Sequence, residues 1–325
     1  MNIQWPKRRY LSLLLCGMIC MGILSGCLKK SEYITDRIGM ALAPRNNNWG
    51  AAVSKYGTAT AASYSLPYYI TNAKSSNTMT DSASQRSQLI SMAYPEENPC
   101  KVIIISPVGQ DAESMDSLVK SQIPLIFFER PVENVDYAYL VTGDNEQAGQ
   151  LAASFILDTL GSVRPNVLVL EAADTNYQIR LQAFRTQLGI PTIDSLVSTP
   201  TKAVGKAMML SVLESEGSES INAVYTADDD LALGVLEALT DQMNTTVKVV
   251  VGCGGEQALL DLIQSTETRA IATTLYDPAM IRSCVEVAYR IAILGETPDQ
   301  KEELHPSVLI DRSNLAEYLN EESYY

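Results

Sequence analysis

From residue 36 onward the chain alternates between two kinds of segment. Short runs, apolar almost throughout and rich in β-branched residues, recur at 37–43, 101–106, 124–128, 137–142, 166–171, 221–226, 247–252 and 269–275, with a further strand expected near 66–70. Runs without a polar face fit strands covered on both sides, as in a parallel sheet. The stretches between them carry helical spacing. Asp144 is placed to cap a helix, with Gln147 at the third position after it, and Ala148, Leu151, Ala152, Phe155 and Ile156 line one face until Gly161. Asp277 and Pro278 open another helix, whose inner stripe is Ile281, Cys284, Val285, Ala288 and Ile291 and which runs to Leu294 before Gly295. Residues 231–239 and 256–263 repeat the habit. This alternation predicts an α/β fold of doubly wound, Rossmann-like parallel sheets with right-handed crossovers. The length suits two lobes better than one core. Two stretches break the pattern: 71–88, polar and rich in Ser, Thr and Asn, and 296–306, which reads as a solvated connection.

The N-terminus has a different pattern. Lys7, Arg8 and Arg9 precede an apolar run, Leu11 to Ile23, that is shorter than the roughly 20 residues a membrane span needs. Leu24-Ser25-Gly26-Cys27 follows, so the segment reads as a secretory signal. A cysteine at the cleavage point resembles a bacterial lipoprotein signal. The resemblance implies removal of residues 1–26, acylation of Cys27, and a lipidated tether at 27–35 that holds an extracytoplasmic protein on a membrane at the cell surface or in the periplasm. Stable anchoring of that kind takes more than one acyl chain.

Composition narrows the chemistry. The formal net charge is −14, which argues against nucleic acid as a partner and against adhesion of the body to anionic lipid. Of six cysteines, Cys16 and Cys20 lie in the signal and Cys27 is the anchor, leaving Cys100, Cys253 and Cys284 with no C-x-x-C pair. No zinc site is expected, and either one disulfide or three buried thiols fits these residues. His305 is the only histidine, so a Ser-His-Asp or Cys-His centre would have to use it. No catalytic residue, metal or cofactor is expected.

In open α/β sheets ligands bind beyond the carboxyl ends of the strands. The residues that follow the strands include Asn47 and Trp49, Ser106, Glu129 and Arg130, Asp174, Asn176 and Arg180, Asp228, and Tyr276. Carboxylates, amides and guanidinium groups are the partners a sugar hydroxyl needs, since it both donates and accepts, and an aromatic ring packs on the apolar face of a sugar. Each has a plainer reading. Trp49 serves equally as core, Glu129 and Arg130 as a solvated ion pair, and Asp229 or Asp230 as a helix cap. Three adjacent aspartates rarely converge on one cation.

The order of these segments resembles the type I periplasmic binding proteins, especially the galactose/glucose and ribose binders, from about Ile38 to Tyr318. Ile-Pro-Leu-Ile-Phe-Phe-Glu129-Arg130 is similar to the family's strand ending in an acidic or amide residue and a basic one. Val141-Thr-Gly-Asp144-Asn-Glu-Gln-Ala-Gly149 is similar to the segment that crosses into the second lobe. Arg180-Leu-Gln-Ala-Phe184 resembles R-x-x-G-F with Ala183 for glycine, and Ala227-Asp228-Asp229-Asp230-Leu-Ala-Leu-Gly234 resembles N-D-x-x-A-x-G. The resemblance implies two lobes joined by three hinge crossovers, near 130–132, 276 and 305–308. The first lobe would comprise 36–131 with 277–306, and the second 132–276 with 307–322. It further implies a monomer that closes on a small sugar or similar polar solute and docks on an ABC transporter permease. Asn47 and Trp49 match first-lobe contacts, Glu129 and Arg130 hinge-side contacts, Arg180 the second-lobe arginine, and Asp228 a hydroxyl-binding amide or acid. The chain departs from the family at Gly254, usually aspartate, at Tyr276, often asparagine or glutamine, and at Ser106, commonly asparagine. The calcium loop of the galactose binder has no room between Gly161 and Asn166. A sensor that signals to a chemoreceptor or kinase uses the same fold, and two arginines also suit a carboxylate or phosphate. A hydrolase built on Asp228 and Glu129 is disfavoured, because nearby arginines would keep both carboxyls ionised.

Overall fold

The computed structural model describes residues 36–45, 48–73, 78–94, 98–109, 111–172, 175–197, 200–215 and 217–319. The elements follow in the order β1 (Ile38–Leu42), α1 (Asn48–Ser63), β2 (Tyr68–Asn72), α2 (Thr78–Ala93), β3 (Val102–Ile105), α3 (Ala112–Lys120), β4 (Leu125–Phe128) and β5 (Tyr139–Gly143). They continue with α4 (Asn145–Leu160), β6 (Val167–Ala172), α5 (Thr175–Leu188), β7 (Ile193–Val197), α6 (Lys202–Leu213), β8 (Ala223–Thr226), α7 (Asp229–Asp241), β9 (Val249–Gly254), α8 (Gln257–Ser265) and β10 (Ala270–Leu275). The chain ends with α9 (Ile281–Tyr289), β11 (Glu302–His305), β12 (Leu309–Ile310) and α10 (Leu315–Tyr318).

The strands form two six-stranded sheets, ordered β11-β5-β4-β3-β1-β2 and β12-β10-β9-β8-β6-β7. All pairings are parallel except β10 with β12. Each sheet lies between two apolar layers. In the first, Ile38, Met40 and Leu42 face α1 and α9, while Ala41, Ile103 and Ile105 face α2 and α3. In the second, Leu168 and Leu170 face α6, α7 and α8, while Val167 and Val169 face α4 and α5. Burial on both faces explains why the central strands lack polar alternation.

Four details differ from the expectations. The lobes were expected to part at residue 131, but β5 pairs with β4, Phe128 opposite Val141, so the chain leaves the first sheet after Gly143. The reason is packing: Tyr139 and Val141 enter one first-lobe layer and Leu140 the other. The expected connection at 296–306 contains β11, an edge strand beside β5 with Glu302 opposite Leu140. An edge strand needs no apolar face and is protected from stray pairing by charge, so its sequence looks like a loop. Strand β7, also an edge, went unrecognised for the same reason. The remaining crossings are at Tyr276, between β10 and α9, and between β11 and β12. The helix expected over 278–294 is continuous but begins as a 3₁₀ turn (Pro278–Met280) and ends as a π turn (Arg290–Leu294).

Candidate functional site

Because each sheet is parallel and the chain crosses three times, the carboxyl ends of both sheets face a shared hinge region. Second-lobe geometry there is set by close helix packing. At Gly149 of α4 an added Cβ would lie 2.1 Å from the carbonyl oxygen of Arg180, so the missing side chain lets α5 lie directly on α4. This fixes Arg180, which is 3% exposed. Its Nη1 donates to Asn145 Oδ1 (3.1 Å) and its Nη2 to the Ala227 carbonyl (3.3 Å), while Nε is buried without a hydrogen-bond partner among the described residues. The guanidinium lies 4.6 Å from the Tyr177 ring centre and 5.3 Å from that of Tyr276, between two aromatic faces.

Tyr276 is the central residue of the hinge. Its ring is 7% exposed, its hydroxyl accepts from Asn176 Nδ2 (3.4 Å), and its carbonyl accepts from Trp49 Nε1 (2.9 Å). Burial, followed by the Glu129 carboxylate, pushes its phenol well above the usual range. Trp49, in the first turn of α1, stacks on Phe128 (5.9 Å between centres, 14° between planes) and stands 6.0 Å from the Tyr276 ring. Trp49 is half-buried, and so belongs at once to the core and to the hinge surface.

Glu129 and Arg130 follow β4. Glu129 has φ of +74°, a left-handed conformation uncommon for a residue with a side chain, held by its N–H to Val141 O (2.8 Å) and by Thr142 Oγ1 donating to its carbonyl (2.7 Å). Its Oε2 accepts from Ser106 Oγ (2.9 Å), while Arg130 Nη2 donates to the Pro107 carbonyl (3.0 Å). Ser106, Glu129 and Arg130 therefore form one cluster at the tips of β3 and β4, not an isolated surface pair.

The aspartate run divides its labour differently from the expectation that Asp229 or Asp230 caps the helix. Asp228 is the cap of α7, its Oδ1 accepting from Leu231 N (2.9 Å). Burial, opposed by that bond and reinforced by Asp230 and Asp229, pushes its carboxyl up to about 7, outweighing the Arg180 charge that was expected to keep it ionised. Asp229 points the other way into the fold. It accepts from Gly255 N (2.7 Å), Glu256 N (2.8 Å) and Thr273 Oγ1 (2.7 Å), and burial pushes its carboxyl up to about 7 as well. The turn it holds presents Glu256, whose Oε1 accepts from Asn48 Nδ2 at 2.5 Å, a bond from the second lobe to the first.

The structure thus brings Trp49, Ser106, Glu129, Arg130, Asn176, Arg180, Asp228 and Tyr276 to the strand tips. Asn47, Asp174 and Cys27 lie outside the described residues. Sequence reasoning missed Asn48, Asn145 and Glu256. Their only signal is adjacency to Trp49, to the Asp144 cap and to the Gly254-Gly255 turn. Cys100, Cys253 and Cys284 are buried free thiols, and burial raises that of Cys253 beside Arg180. His305 places Nε2 2.7 Å from Glu303 Oε1, which also accepts from Ser283 Oγ (2.8 Å), so the ring nitrogen nearest that serine is already engaged by the carboxylate. Among the described residues no group of three His, Cys, Asp or Glu could hold a metal ion, and no helix is long and apolar enough to cross a membrane.

Comparison with known proteins agrees with this geometry. The ribose import binding protein of Bacillus subtilis (strain 168) is 24% identical over 242 residues, 73% of this chain and 75% of that protein. The D-allose-binding periplasmic protein of Escherichia coli (strain K12) is 28% identical over 147 residues, 43% and 46% of the two chains. A Caulobacter myo-inositol binding protein, solved with myo-inositol, superposes with a TM-score of 0.76 at 19% identity, covering 87% of this chain and 95% of that one, and so shares the fold. These relatives are solute-binding proteins, not enzymes. The family model described as periplasmic binding protein domain matches residues 38–297, and with two facing parallel sheets and three crossings the chain belongs to that family.

Proposed function

We propose that this chain is an extracytoplasmic, lipid-anchored solute-binding protein that captures a small sugar between its lobes and delivers it to an ABC-type permease. The observation that carries the reading is Arg180: a cation buried between two tyrosine faces at the hinge, with Nε unpartnered. An unsatisfied buried donor costs about 1–3 kcal/mol, and a hydroxyl oxygen delivered into the cleft removes that cost. Trp49 supplies a flat apolar surface, and Glu129, Arg130, Asn176 and Asp228 supply donors and acceptors of both kinds. The related ribose and allose binders support a monosaccharide-sized guest. Closure of the lobes excludes water and strengthens these polar contacts, and the bond from Asn48 to Glu256 ties the two halves together in that state. Anchoring rests on Cys27 at the end of a secretory leader.

A carboxylate-bearing sugar is the second reading. It is favoured by the guanidinium of Arg180, whose hydrogen bonds go to an amide oxygen and a backbone carbonyl. Both readings are tested by thermal-shift screening of monosaccharides, inositols and sugar acids. Trp5 leaves with the leader, so Trp49 alone reports binding by fluorescence in the mature chain. A raised melting temperature together with a change in Trp49 emission is expected for the true guest. Silence of both signals across all three classes would defeat the proposal.

A further inference from the structure

We propose that the pole of the first lobe opposite the hinge is a membrane-contact surface, which rests the body on the lipid interface to which Cys27 anchors it. The inference rests on the anchoring reading above and adds a defined surface to it.

In a parallel sheet the strands start, and the helices between them end, at one pole. Here that pole carries exposed aromatic and aliphatic side chains: Tyr64 at the end of α1, Tyr68 and Tyr69 at the start of β2, and Ile293 and Leu294 in the π turn after α9. Tyr68 is 41% exposed and Leu294 52%. Tyr64 stacks on Tyr289 of α9, 4.7 Å between ring centres, which joins the α1 and α9 contributions into one surface. The folded body also begins there. Ile38 donates its N–H to the Pro67 carbonyl (3.0 Å) and pairs with Tyr68, and the Arg37 guanidinium lies 5.8 Å from the Tyr69 ring centre. From Cys27 to Asp36 the chain spans at most about 30 Å when fully extended. The bilayer surface is therefore within reach of this pole whatever path the tether takes.

The chemistry selects a lipid interface. Tyrosine, with an apolar ring and a polar tip, is enriched where hydrocarbon meets headgroups. Charge attraction contributes little. The formal net charge is −14, and of the local cations Lys101 pairs with Asp36 at 4.0 Å and Arg290 with Glu296 at 2.7 Å, while Arg37 lies over the Tyr69 ring. Contact through rings rather than charges is insensitive to ionic strength and does not require anionic lipid.

The test uses the full acylated protein reconstituted into phosphatidylcholine vesicles. An environment-sensitive fluorophore is placed on Leu294→Cys at the proposed pole or on Met243→Cys, which is 85% exposed on the second lobe. Flotation with the vesicles reads the anchor by itself. The expected result is a blue-shifted label at 294, quenched by nitroxide lipid at both low and high salt, with the label at 243 in water. Combining Tyr64→Ser, Tyr68→Ser and Tyr69→Ser is expected to return the 294 label to water without loss of flotation. A floating protein with both labels in water, or with both shielded alike, overturns the assignment of this pole. Failure to float overturns the anchoring reading and the proposal with it.

Discussion

Gly143→Ala tests the geometry of the hinge directly. Gly143 ends β5, where the chain leaves the first lobe, and the Tyr276 ring occupies the space a side chain would fill. An added Cβ would stand 2.4 Å from Cε2 and 2.8 Å from Cδ2, against 3.4–4 Å for ordinary contact. The ring would have to retreat by about 1 Å. It cannot do so freely, since Trp49, Arg180 and Asn176 engage its other sides. Gly143 is not among the positive-φ glycines, so alanine adds crowding without backbone strain. Overpacking of this kind costs about 1–3 kcal/mol, a loss of a few degrees in Tm for a body of this size. Tyr276→Leu alone should cost about 3 kcal/mol through the space it leaves. In that background Gly143→Ala should be nearly neutral, so the denaturant-unfolding cycle of the two changes should show a coupling of about 1–3 kcal/mol. An undiminished cost of Gly143→Ala beside leucine would refute the reasoning, as would a single variant indistinguishable from wild type.

Three further outcomes follow from the same contacts. Arg180→Ala should weaken binding of the true guest about 100-fold by calorimetry, with Arg180→Lys intermediate, because Asn145 and the guest lose a charged donor that no other side chain replaces. Asn48→Ala removes the bond between lobes and should weaken affinity by about 2–10-fold while scattering measurements show a larger mean radius without ligand. Asp228 and Asp229 both have carboxyls raised in the folded state to about 7, so the folded form binds protons more tightly than the unfolded chain. Their contribution is therefore fully present below about pH 4 and is lost as pH rises to about 7, and Asp228→Asn should flatten that slope in a pH series of urea unfolding midpoints.

The legible part of the fold was the part where physics leaves one option. The strand Val102–Ile105, buried on both faces, has no polar position, and the helix after Asp144 carries its cap and its stop in plain view. Edge strands β7 and β11 were illegible because backbone groups along one side face water, and β11 fully buries none of its side chains, which is also what a loop does. The site was legible as a set of strand tips, and residue types chosen for hydrogen-bonding capacity came together there. What each aspartate does was not legible. Asp228 and Asp229 are chemically identical neighbours, and only the direction of the chain after β8 sends one to the cap and the other to the Gly255 turn. The bond between Asn48 and Glu256 joins residues 208 positions apart, with no local pattern to announce it.

The last two strands, β11 and β12, lie only a few residues apart in the chain yet complete different sheets. The first half cannot finish this edge until synthesis has passed residue 305, nor the second until it has passed residue 310. A protein threaded through a membrane as an extended chain benefits from that delay, since a half that matured early would jam the channel. The same arrangement makes truncation before residue 302 unforgiving: it leaves both halves incomplete instead of sparing one.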